Sequence, residues 1–452
     1  MQLTDKKVLV YGAAKSGISA AGMLQKLGAD VILFDRNIEL TKEAFQDKID
    51  TENNFCLATG SLAEEVLDRV QLIIISPGVP TDHPDMLKAK EKNIPIWSEI
   101  ELAYHYTKGK IIGITGTNGK TTTTTLVGEI MKAYFEEVYV VGNIGNCYSD
   151  QALNTTEEAV TVIELSSFQL ETICEFKPDI SAILNITPDH LDRHHTMENY
   201  IAMKQRVTFN QTNSQLCVLN YEDEILRSMA EHLPCRVIFF SSERTLEEGL
   251  YLEGDLIVYS NKLKKEIICN VNELHLLGKH NYENVMAAVG IGVEIGIPLE
   301  YIRKTILAFR AVEHRIEYVE TIHNVAYYND SKGTNPDASI RAVQAMRCPT
   351  ILIGGGYDKK IPFDELIEAF DGKVKYLVLL GQTREIFAET ARRHGFTDII
   401  LVDSLKEAVE VSAKIAEAGE AVLLSPACAS WGMFQNYEQR GRLFKEYVRE
   451  ML

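Results

Sequence analysis

The stretch ITGTNGKTTT, residues 114–123, joins an apolar run to a helical pattern. Its last part, Gly119-Lys120-Thr121, closes the phosphate-binding pattern G-x-x-x-x-G-K-[ST], although Ile114 occupies the place of the first glycine. KIIGITG (110–116) predicts a buried strand, and TTTTTLVGEIMKAY (121–134) predicts a helix. Because backbone N–H groups and the helix dipole would then face a phosphate, we predict an ATP-binding loop rather than a turn with a surface lysine.

Alternating strand and helix patterns continue on both sides of this loop, which predicts parallel sheets. The predicted strands cover residues 6–12, 30–35, 71–78, 110–116, 138–143, 159–166, 180–186, 215–220, 325–330, 349–355, 375–381, 398–403 and 421–427, with a hairpin at 251–271. For 452 residues we expect three domains. The predicted α/β fold has a Rossmann-like N-terminal domain (1–98), a central P-loop ATPase-like domain (99–311) and a Rossmann-like C-terminal domain (312–452).

Composition limits the partners and the compartment. A net charge of -18 argues against nucleic acid or an anionic membrane surface as the main partner. The eight cysteines are scattered without any C-x-x-C pair, which suits reduced thiols in the cytoplasm. The first apolar run predicts a strand rather than a signal peptide, and no run approaches the ~18 residues of a membrane span. We therefore expect a soluble cytoplasmic protein.

Two polar residues follow predicted strands of the central block. Glu164 ends the strand in VIELSSFQLE, and His190 lies just past the strand in ILNITPDHLDRHH. Since the carboxyl ends of parallel strands open on the same crevice, a carboxylate and an imidazole there suit a divalent metal beside bound ATP. Each residue alone would more often be structural. Lys204, on the helix after the His190 loop, has the pattern of a surface lysine.

The loop T-G-T-N-G-K-T-T resembles that of the superfamily of Mur ligases and folylpolyglutamate synthetases, which are ATP-dependent amide-forming ligases. H-R-I-E at 314–317 and D-S-K-G-T-N-P at 330–336 resemble two further motifs of that superfamily. The resemblance implies that a substrate carboxylate is phosphorylated by ATP and that an amine then attacks the acyl phosphate. It also implies two Mg²⁺ ions, and a lysine carbamate formed from CO₂ at Lys204, which requires a lowered pKa.

The resemblance assigns roles to residues of the central and C-terminal blocks. The residues implied to bind ATP are Gly116, Thr117, Asn118, Gly119, Lys120, Thr121, Thr122, Asn281, Arg315 and Asp330. The residues implied to be metal ligands are Thr121, Glu164, His190 and Lys204, of which the last three join Lys120 as catalytic residues.

The segment LLSPACASWGMFQNYEQRGRLF (423–444) resembles the C-terminal motif of the Mur ligase that adds D-glutamate to UDP-N-acetylmuramoyl-L-alanine. This resemblance implies those two partners, and two ammonium groups with a hydroxyl would suit a dicarboxylate. The residues implied to bind D-glutamate are Lys332, Thr334, Lys360, Ser430 and Tyr437. Tyr437 departs from the phenylalanine common at its place, and Lys359 is the alternative to Lys360.

YGAAKSGIS has Gly12 and Gly17 after the first strand, but Ala14 replaces the middle glycine of the dinucleotide pattern G-x-G-x-x-G. The pattern alone permits an NAD domain with Asp35 as the ribose acid. The ligase resemblance instead implies a UDP site. The residues implied to bind this substrate are Lys15, Ser16, Gly17, Asp35, Arg36 and Ser76, with Asn143 and Ser166 of the central block at its muramoyl-alanine end.

The sequence therefore predicts a monomeric, D-glutamate-adding Mur ligase. One alternative is a folylpolyglutamate synthetase-like ligase, which lacks a UDP-binding first domain. A second alternative is an NAD-linked oxidoreductase, which leaves GTNGKT unexplained. A third is a P-loop regulatory switch, which would hydrolyse nucleotide without any amino acid.

Overall fold

The computed structural model describes residues 2–310 and 313–452, and it contains three predominantly parallel sheets with helices packed on them. The chain divides into two compact units. The first contains residues before Asn270 together with Glu283–Thr305, and the second contains Asn270–Tyr282 together with the chain from Ile306 to Leu452. The predicted boundary at residues 311 and 312 lies outside the described residues. The predicted boundary after residue 98 lies where a strand ends and a helix begins.

The N-terminal sheet has the order β3-β2-β1-β4-β5, and every neighbouring pair is parallel. Its strands are β1 (Lys7–Tyr11), β2 (Asp30–Asp35), β3 (Phe55–Thr59), β4 (Leu72–Ile75) and β5 (Ile96–Ser98). The helices of this region are α1 (Lys15–Lys26), α2 (Glu64–Leu67), α3 (Pro84–Glu91) and α4 (Glu99–Tyr104). Near-continuous apolar runs such as LIII in β4 are typical of strands buried on both faces.

The central sheet has nine strands in the order β14-β13-β12-β11-β10-β9-β6-β8-β7. The strands are β6 (Lys110–Thr115), β7 (Val138–Gly142), β8 (Val160–Glu164), β9 (Ile180–Ile183), β10 (Leu216–Asn220), β11 (Arg236–Ser241), β12 (Gly249–Glu253), β13 (Leu256–Asn261) and β14 (Lys264–Asn270). The helices are α5 (Lys120–Lys132), α6 (Ser167–Leu170), α7 (Leu191–His194), α8 (Met197–Gln205), α9 (Glu224–Ala230), α10 (Lys279–Glu294) and α11 (Leu299–Ala308). Strands β6 to β12 pair in parallel, whereas β12 and β13 are antiparallel.

The N-terminal and central sheets share one hydrophobic core. Ile100 and Leu102 of α4 pack in the same cluster as Tyr148 and Leu170 of the central region. Ser19 of α1 also forms a hydrogen bond of 2.6 Å with Ser149. The first unit is therefore held together by buried contacts between its two sheets.

The second unit contains a six-stranded sheet in the order β15-β16-β20-β17-β18-β19. Its strands are β15 (Glu317–Ile322), β16 (Val325–Asn329), β17 (Thr350–Gly354), β18 (Val374–Leu379), β19 (Ile399–Leu401) and β20 (Ala421–Leu424). Its helices are α12 (Pro336–Ala345), α13 (Asp364–Glu368), α14 (Arg384–Arg393), α15 (Leu405–Ile415) and α16 (Tyr437–Arg449). Only β15 and β16 are antiparallel among the described pairs of this sheet.

The structure confirms the three-domain α/β fold and corrects the list of strands. The sequence analysis did not predict β3, β5, β11 or β15, and the predicted hairpin at 251–271 contains three strands, β12 to β14. Strands β3 and β15 lie at sheet edges, where partial exposure weakens the apolar pattern. None of the described helices is long and apolar enough to cross a membrane.

Candidate active site

The central sheet brings Glu164 and the phosphate loop to one edge. The neighbouring strands β7, β8, β6 and β9 end at the same level, since Gly142 pairs with Glu164 and Ile114 also pairs with Glu164. The phosphate-loop stretch leaves β6 at this edge and enters α5. Glu164 therefore lies next to the strand that feeds the loop.

Two glycines shape the loop because their backbone angles suit no other residue. Gly116 has φ +150° and Gly119, immediately before α5, has φ +83°. A Cβ atom on Gly119 would lie 2.3 Å from Oδ1 of Asn284. The loop therefore requires glycine at this place, both for the left-handed backbone and for the close approach of α10.

The segment after β9 is hydrogen-bonded to the phosphate loop. Thr117 N–H donates to the Asn185 carbonyl at 2.9 Å, and Asn118 N–H donates to Asn185 Oδ1 at 2.8 Å. The Thr117 hydroxyl lies 3.1 Å from the Tyr200 hydroxyl and accepts a hydrogen bond from Thr187 N–H. The sequence analysis did not single out Asn185 or Tyr200. The only signal for Asn185 was its place as a polar residue at the end of a predicted strand. The only signal for Tyr200 was its place as an aromatic residue one helical turn before Lys204.

Two lysines converge on one carbonyl of the loop. Lys120 Nζ donates to the Gly116 carbonyl at 2.9 Å, and Lys204 Nζ donates to the same carbonyl at 2.7 Å. Lys204 is only 2% exposed. Burial, reinforced by the neighbouring positive charge of Lys120, lowers the pKa of Lys204 to about 7. The interpretation of Lys204 as a surface lysine is therefore wrong.

Glu164 fits a cation-binding role. Its side chain is 1% exposed, and its Oε1 accepts a hydrogen bond from Asn143 Nδ2 at 2.9 Å. No described residue donates to its other oxygen, Oε2, although that atom is buried. Because a buried carboxylate oxygen without a donor is costly, it is suited to a bound cation.

The other predicted metal ligands are less closely gathered. His190 immediately precedes α7 with φ +52°, is about half exposed and has its Nε2 3.5 Å from Asp189 Oδ2. Thr121 lies in the first turn of α5. Within residues 2–310 and 313–452, no three side chains of His, Cys, Asp or Glu are grouped closely enough to hold a metal by themselves. A site here would therefore depend on Glu164 together with other kinds of ligand.

The predicted UDP residues lie around the first turn of α1. Gly12 has φ +105°, and a Cβ atom on Gly17 would lie 1.8 Å from the Gly12 carbonyl oxygen. Asp35 Oδ2 accepts from Ala13 N–H at 2.8 Å, and Ser76 donates to the Gly12 carbonyl. Helix α1 has no side-chain cap, so its first N–H groups suit an anion.

Other predicted substrate residues already have protein partners. Lys15 Nζ donates to the Gly145 carbonyl, and Arg36 contacts the His83 ring. Ser16 lies beside Lys15 in the first turn of α1. Ser166 caps α6 through Gln169 and lies two residues beyond Glu164. Thr122, predicted to contact ATP, is buried in α5.

In the second unit, Asp330 follows β16 and faces the end of β20. The Ser425 hydroxyl donates to Asp330 Oδ2 at 2.7 Å, and Ile316 N–H donates to Oδ1 at 3.2 Å. Burial raises the pKa of Asp330 to about 7, although these hydrogen bonds and the charge of Arg315 act in the opposite direction. Asn281 is buried and donates to the Leu277 carbonyl one turn earlier.

Three of the predicted D-glutamate residues, Lys332, Thr334 and Ser430, lie on loops held by Arg440. This 2%-exposed arginine donates to the Ser331 hydroxyl, to the Ser331 carbonyl and to the Cys428 carbonyl at 2.8–3.1 Å. Ser331 stands next to Lys332, and Cys428 stands two positions before Ser430. The sequence analysis did not single out Arg440, because an arginine in Q-R-G-R has no pattern that distinguishes it from an exposed one.

The aromatic residues of this region contact its lysines. Lys332 Nζ lies 5.8 Å from the Tyr437 ring centre. Lys359 Nζ lies 5.6 Å from the Trp431 ring centre and 3.4 Å from the Thr334 carbonyl oxygen. Lys360 instead has φ +56°, and its N–H bonds to Asp358. The prediction for Lys360 stands, with Lys359 as its alternative.

Comparisons with known proteins agree with this architecture. Residues 6–98 match the Mur ligase MurD-like N-terminal domain, residues 114–292 the Mur ligase middle domain and residues 314–428 the Mur ligase glutamate ligase domain. Together these matches cover most of the chain, which belongs to the Mur ligase family.

Curated relatives are similar over their full length. The chain is 56% identical to the UDP-N-acetylmuramoylalanine–D-glutamate ligase of Lachnoclostridium phytofermentans, covering 100% of this chain and 99% of the relative. It is 47% identical to the enzyme of the same name from Clostridioides difficile, over 100% of both chains.

Solved structures share the fold. One is the UDP-N-acetylmuramate–alanine ligase of Thermotoga maritima, with a TM-score of 0.59, 18% identity and coverage of 99% of this chain and 100% of that one. Another is the MurF ligase of Thermotoga maritima in complex with ADP, with a TM-score of 0.58, 16% identity and coverage of 100% and 97%.

Proposed function

We propose that this Mur ligase uses ATP to join D-glutamate to UDP-N-acetylmuramoyl-L-alanine, a step of peptidoglycan precursor synthesis. The observation that carries the proposal is the convergence of Lys120 and Lys204 on the Gly116 carbonyl, on a strand edge shared with Glu164. The names of the full-length relatives support the same substrates and do not favour a folylpolyglutamate synthetase or an oxidoreductase.

Phosphate binding is assigned to the loop and to the start of α5. The left-handed backbone of Gly119 leads directly into α5, and the dipole of that helix favours an anion at its start. Lys120 is close enough to the loop carbonyls to exchange those contacts for phosphate oxygens. Its fixed charge would stabilise the negative charge that develops as the γ-phosphoryl group moves.

The chemistry has two steps. In the first, the alanine carboxylate attacks the γ-phosphorus of ATP, which releases ADP and leaves an acyl phosphate. In the second, the amine of D-glutamate attacks the acyl carbon, the amide forms and inorganic phosphate leaves. Both steps place negative charge on transferring oxygens, which the cationic loop is built to receive.

We assign Glu164, His190, Thr121 and a carbamate of Lys204 to two Mg²⁺ ions. Bound Mg²⁺ would neutralise charge on the phosphate oxygens and on the acyl oxygen. The free Oε2 of Glu164 supports this assignment. A carbamate is supported by the pKa of about 7 for Lys204, since only the neutral amine reacts with CO₂.

The remaining predicted residues are assigned within their own units. In the first unit, the loop after β1 and the start of α1 would bind the pyrophosphate, while Asp35, Arg36 and Ser76 would lie at the uridine. In the second unit, Arg315, Asp330 and Asn281 are assigned to ATP. The residues assigned to D-glutamate are Lys332, Thr334, Lys360, Ser430 and Tyr437. Two lysines and a serine there suit two carboxylates. We place the reaction in the cytoplasm and the enzyme as a monomer.

The test is phosphate release from ATP with Mg²⁺ and UDP-N-acetylmuramoyl-L-alanine. D-glutamate, L-glutamate, L-lysine and no amino acid are compared, with the UDP-linked product identified by mass. We expect release with D-glutamate alone, and equal release without an amino acid would contradict the proposal. Lys120→Ala should abolish turnover while binding of the UDP substrate survives. Lys132→Ala, an exposed lysine of the same helix, is the matched control.

A further inference from the structure

A cationic cavity lies in the second unit. It has a volume of about 430 Å³ and is lined by residues of the 270–282 segment, of β15 and β16, and of the turn after α12, with Arg310. None of its ten described lining residues is acidic. We call it the Arg310–Arg347 cavity.

The two arginines of this cavity lack carboxylate partners. No carboxylate of the described residues lies within 4 Å of the guanidinium group of Arg310 or of Arg347. Arg310 instead lies 5.7 Å from the Tyr318 ring centre, and Arg347 donates to the Val271 carbonyl at 3.0 Å and to the Tyr282 hydroxyl. In a chain of net charge -18, two unpaired arginines in one concavity attract a small anion.

The walls of the cavity are flat and apolar. The rings of His275 and Tyr318 stack at 6.1 Å with an angle of 30°, and Tyr328 meets Tyr318 edge to face. Leu274 and Met346 supply buried apolar surface. Concave sites of this kind, apolar with a few directed polar groups, are typical of small-molecule binding.

None of the residues assigned to ATP or D-glutamate lines the cavity. The loop after β16, which carries Asp330, Lys332 and Thr334, precedes helix α12, whereas Met346 and Arg347 follow it. A helix of ten residues separates its ends by about 15 Å.

We propose that the Arg310–Arg347 cavity binds a small organic anion that carries a phosphate or carboxylate on a planar ring. The two guanidinium groups hold the anionic group, and the ring lies against His275, Tyr318 and Tyr328. The bound molecule connects Arg310 and the 270–282 segment to the C-terminal sheet. This site is independent of the proposed ligase activity, and its test measures binding alone.

Calorimetric titration of the full chain with phenyl phosphate and with benzoate is the test. A compound whose anionic group fits the cavity should bind at one site with a Kd of about 1 mM or tighter. Binding of phenyl phosphate would identify phosphate as the recognised group, and binding of benzoate would identify carboxylate. Inorganic phosphate and benzyl alcohol should bind at least about tenfold more weakly, because each lacks half of the recognised chemistry. The proposal would be overturned if inorganic phosphate or benzyl alcohol bound as tightly as the aromatic anions. It would also be overturned if neither phenyl phosphate nor benzoate bound.

Site-directed variants locate the binding. Arg310→Gln combined with Arg347→Gln should weaken binding of the aromatic anion by about tenfold or more, since charge-assisted hydrogen bonds are lost. Arg392→Gln, at an exposed arginine of α14, should leave it unchanged. Undiminished binding to the double variant would place the anion elsewhere and refute the assignment. If circular dichroism shows the double variant unfolded, the two single variants give the same comparison.

Discussion

Lys204 illustrates how one side chain changes its chemistry through its surroundings. An ammonium group in water is charged at neutral pH, but burial against the loop and the charge of Lys120 lower the pKa of Lys204 to about 7. The Tyr200 ring lies 4.6 Å from its Nζ, which offers only partial compensation for lost water. The lowered pKa therefore increases the neutral share of this amine near pH 7, and the neutral form is the one that a carbamate requires.

Lys204→Ala should lower ligase activity by about 100-fold or more, as loss of a group that stabilises transition-state charge does. The truncation leaves a cavity beside the loop, and short-chain carboxylates such as acetate should enter it and restore part of the activity. Phosphate release with and without added acetate measures this, with Lys132→Ala as the exposed control. Full activity of Lys204→Ala without acetate would remove Lys204 from the mechanism.

At the scale of elements, the second unit positions its loops through helix α16. Arg440 projects from this helix, and its three hydrogen bonds join the loop after β16 to the loop after β20. The Ser331 hydroxyl in turn donates to the Tyr437 carbonyl in the first turn of the same helix. The helix and the two loops therefore form one hydrogen-bonded group that fixes Lys332 and Ser430.

Arg440→Lys should raise the KM for D-glutamate by about tenfold or more and leave the KM for the UDP substrate unchanged. A lysine has no planar fork and cannot replace all three bonds, whose loss should also cost about 2 kcal/mol of stability. Steady-state kinetics with each substrate varied separately measure the effect. Arg449→Lys, on the exposed face of α16, serves as the control. An unchanged KM for D-glutamate in a folded Arg440→Lys variant would show that the loops are positioned without it.

At the scale of the whole molecule, the first unit contains a buried carboxylate where its two sheets share a core. Glu99 of α4 is 2% exposed, and its Oε1 accepts from Ser149 N–H at 2.5 Å. Burial raises the pKa of Glu99 to about 7, and the nearby charge of Asp150 acts in the same direction. Between pH 4.5 and about 7, the folded protein therefore keeps a proton on Glu99 that the unfolded chain has already released.

This proton makes stability fall as pH rises from about 4.5 to 7, because the folded state binds more protons there than the unfolded state. Glu99→Gln keeps an acceptor for Ser149 but does not ionise, so it should flatten this dependence and stabilise the first unit at pH 8 by about 1–3 kcal/mol. Urea unfolding at pH 5 to 8, followed by Trp97 fluorescence in a Trp431→Phe background, isolates the first unit, since the chain has two tryptophans. Glu136→Gln is the exposed control, and parallel pH curves for parent and Glu99→Gln would contradict the prediction.

The sequence by itself determined the features that depend on local chain geometry. The glycines of ITGTNGKTTT, the alternating strand and helix patterns and the strand-end position of Glu164 can be recognised without a fold, because backbone angles and periodicity are local properties. The motif resemblance, which covers the chain from end to end, also indicated the family. Edge strands β3 and β15 were not predicted, because their partial exposure weakens the apolar periodicity.

Only the tertiary structure decided what each polar residue meets. Lys204 has the sequence environment of a surface lysine and Arg440 that of an exposed arginine, yet both are buried among carbonyl groups from distant parts of the chain. Asn185 and Asn284 shape the phosphate loop from positions more than sixty residues away. Burial and hydrogen-bond partners are set by which segments pack together, and these contacts determine the charge state of Lys204 and the reach of Arg440.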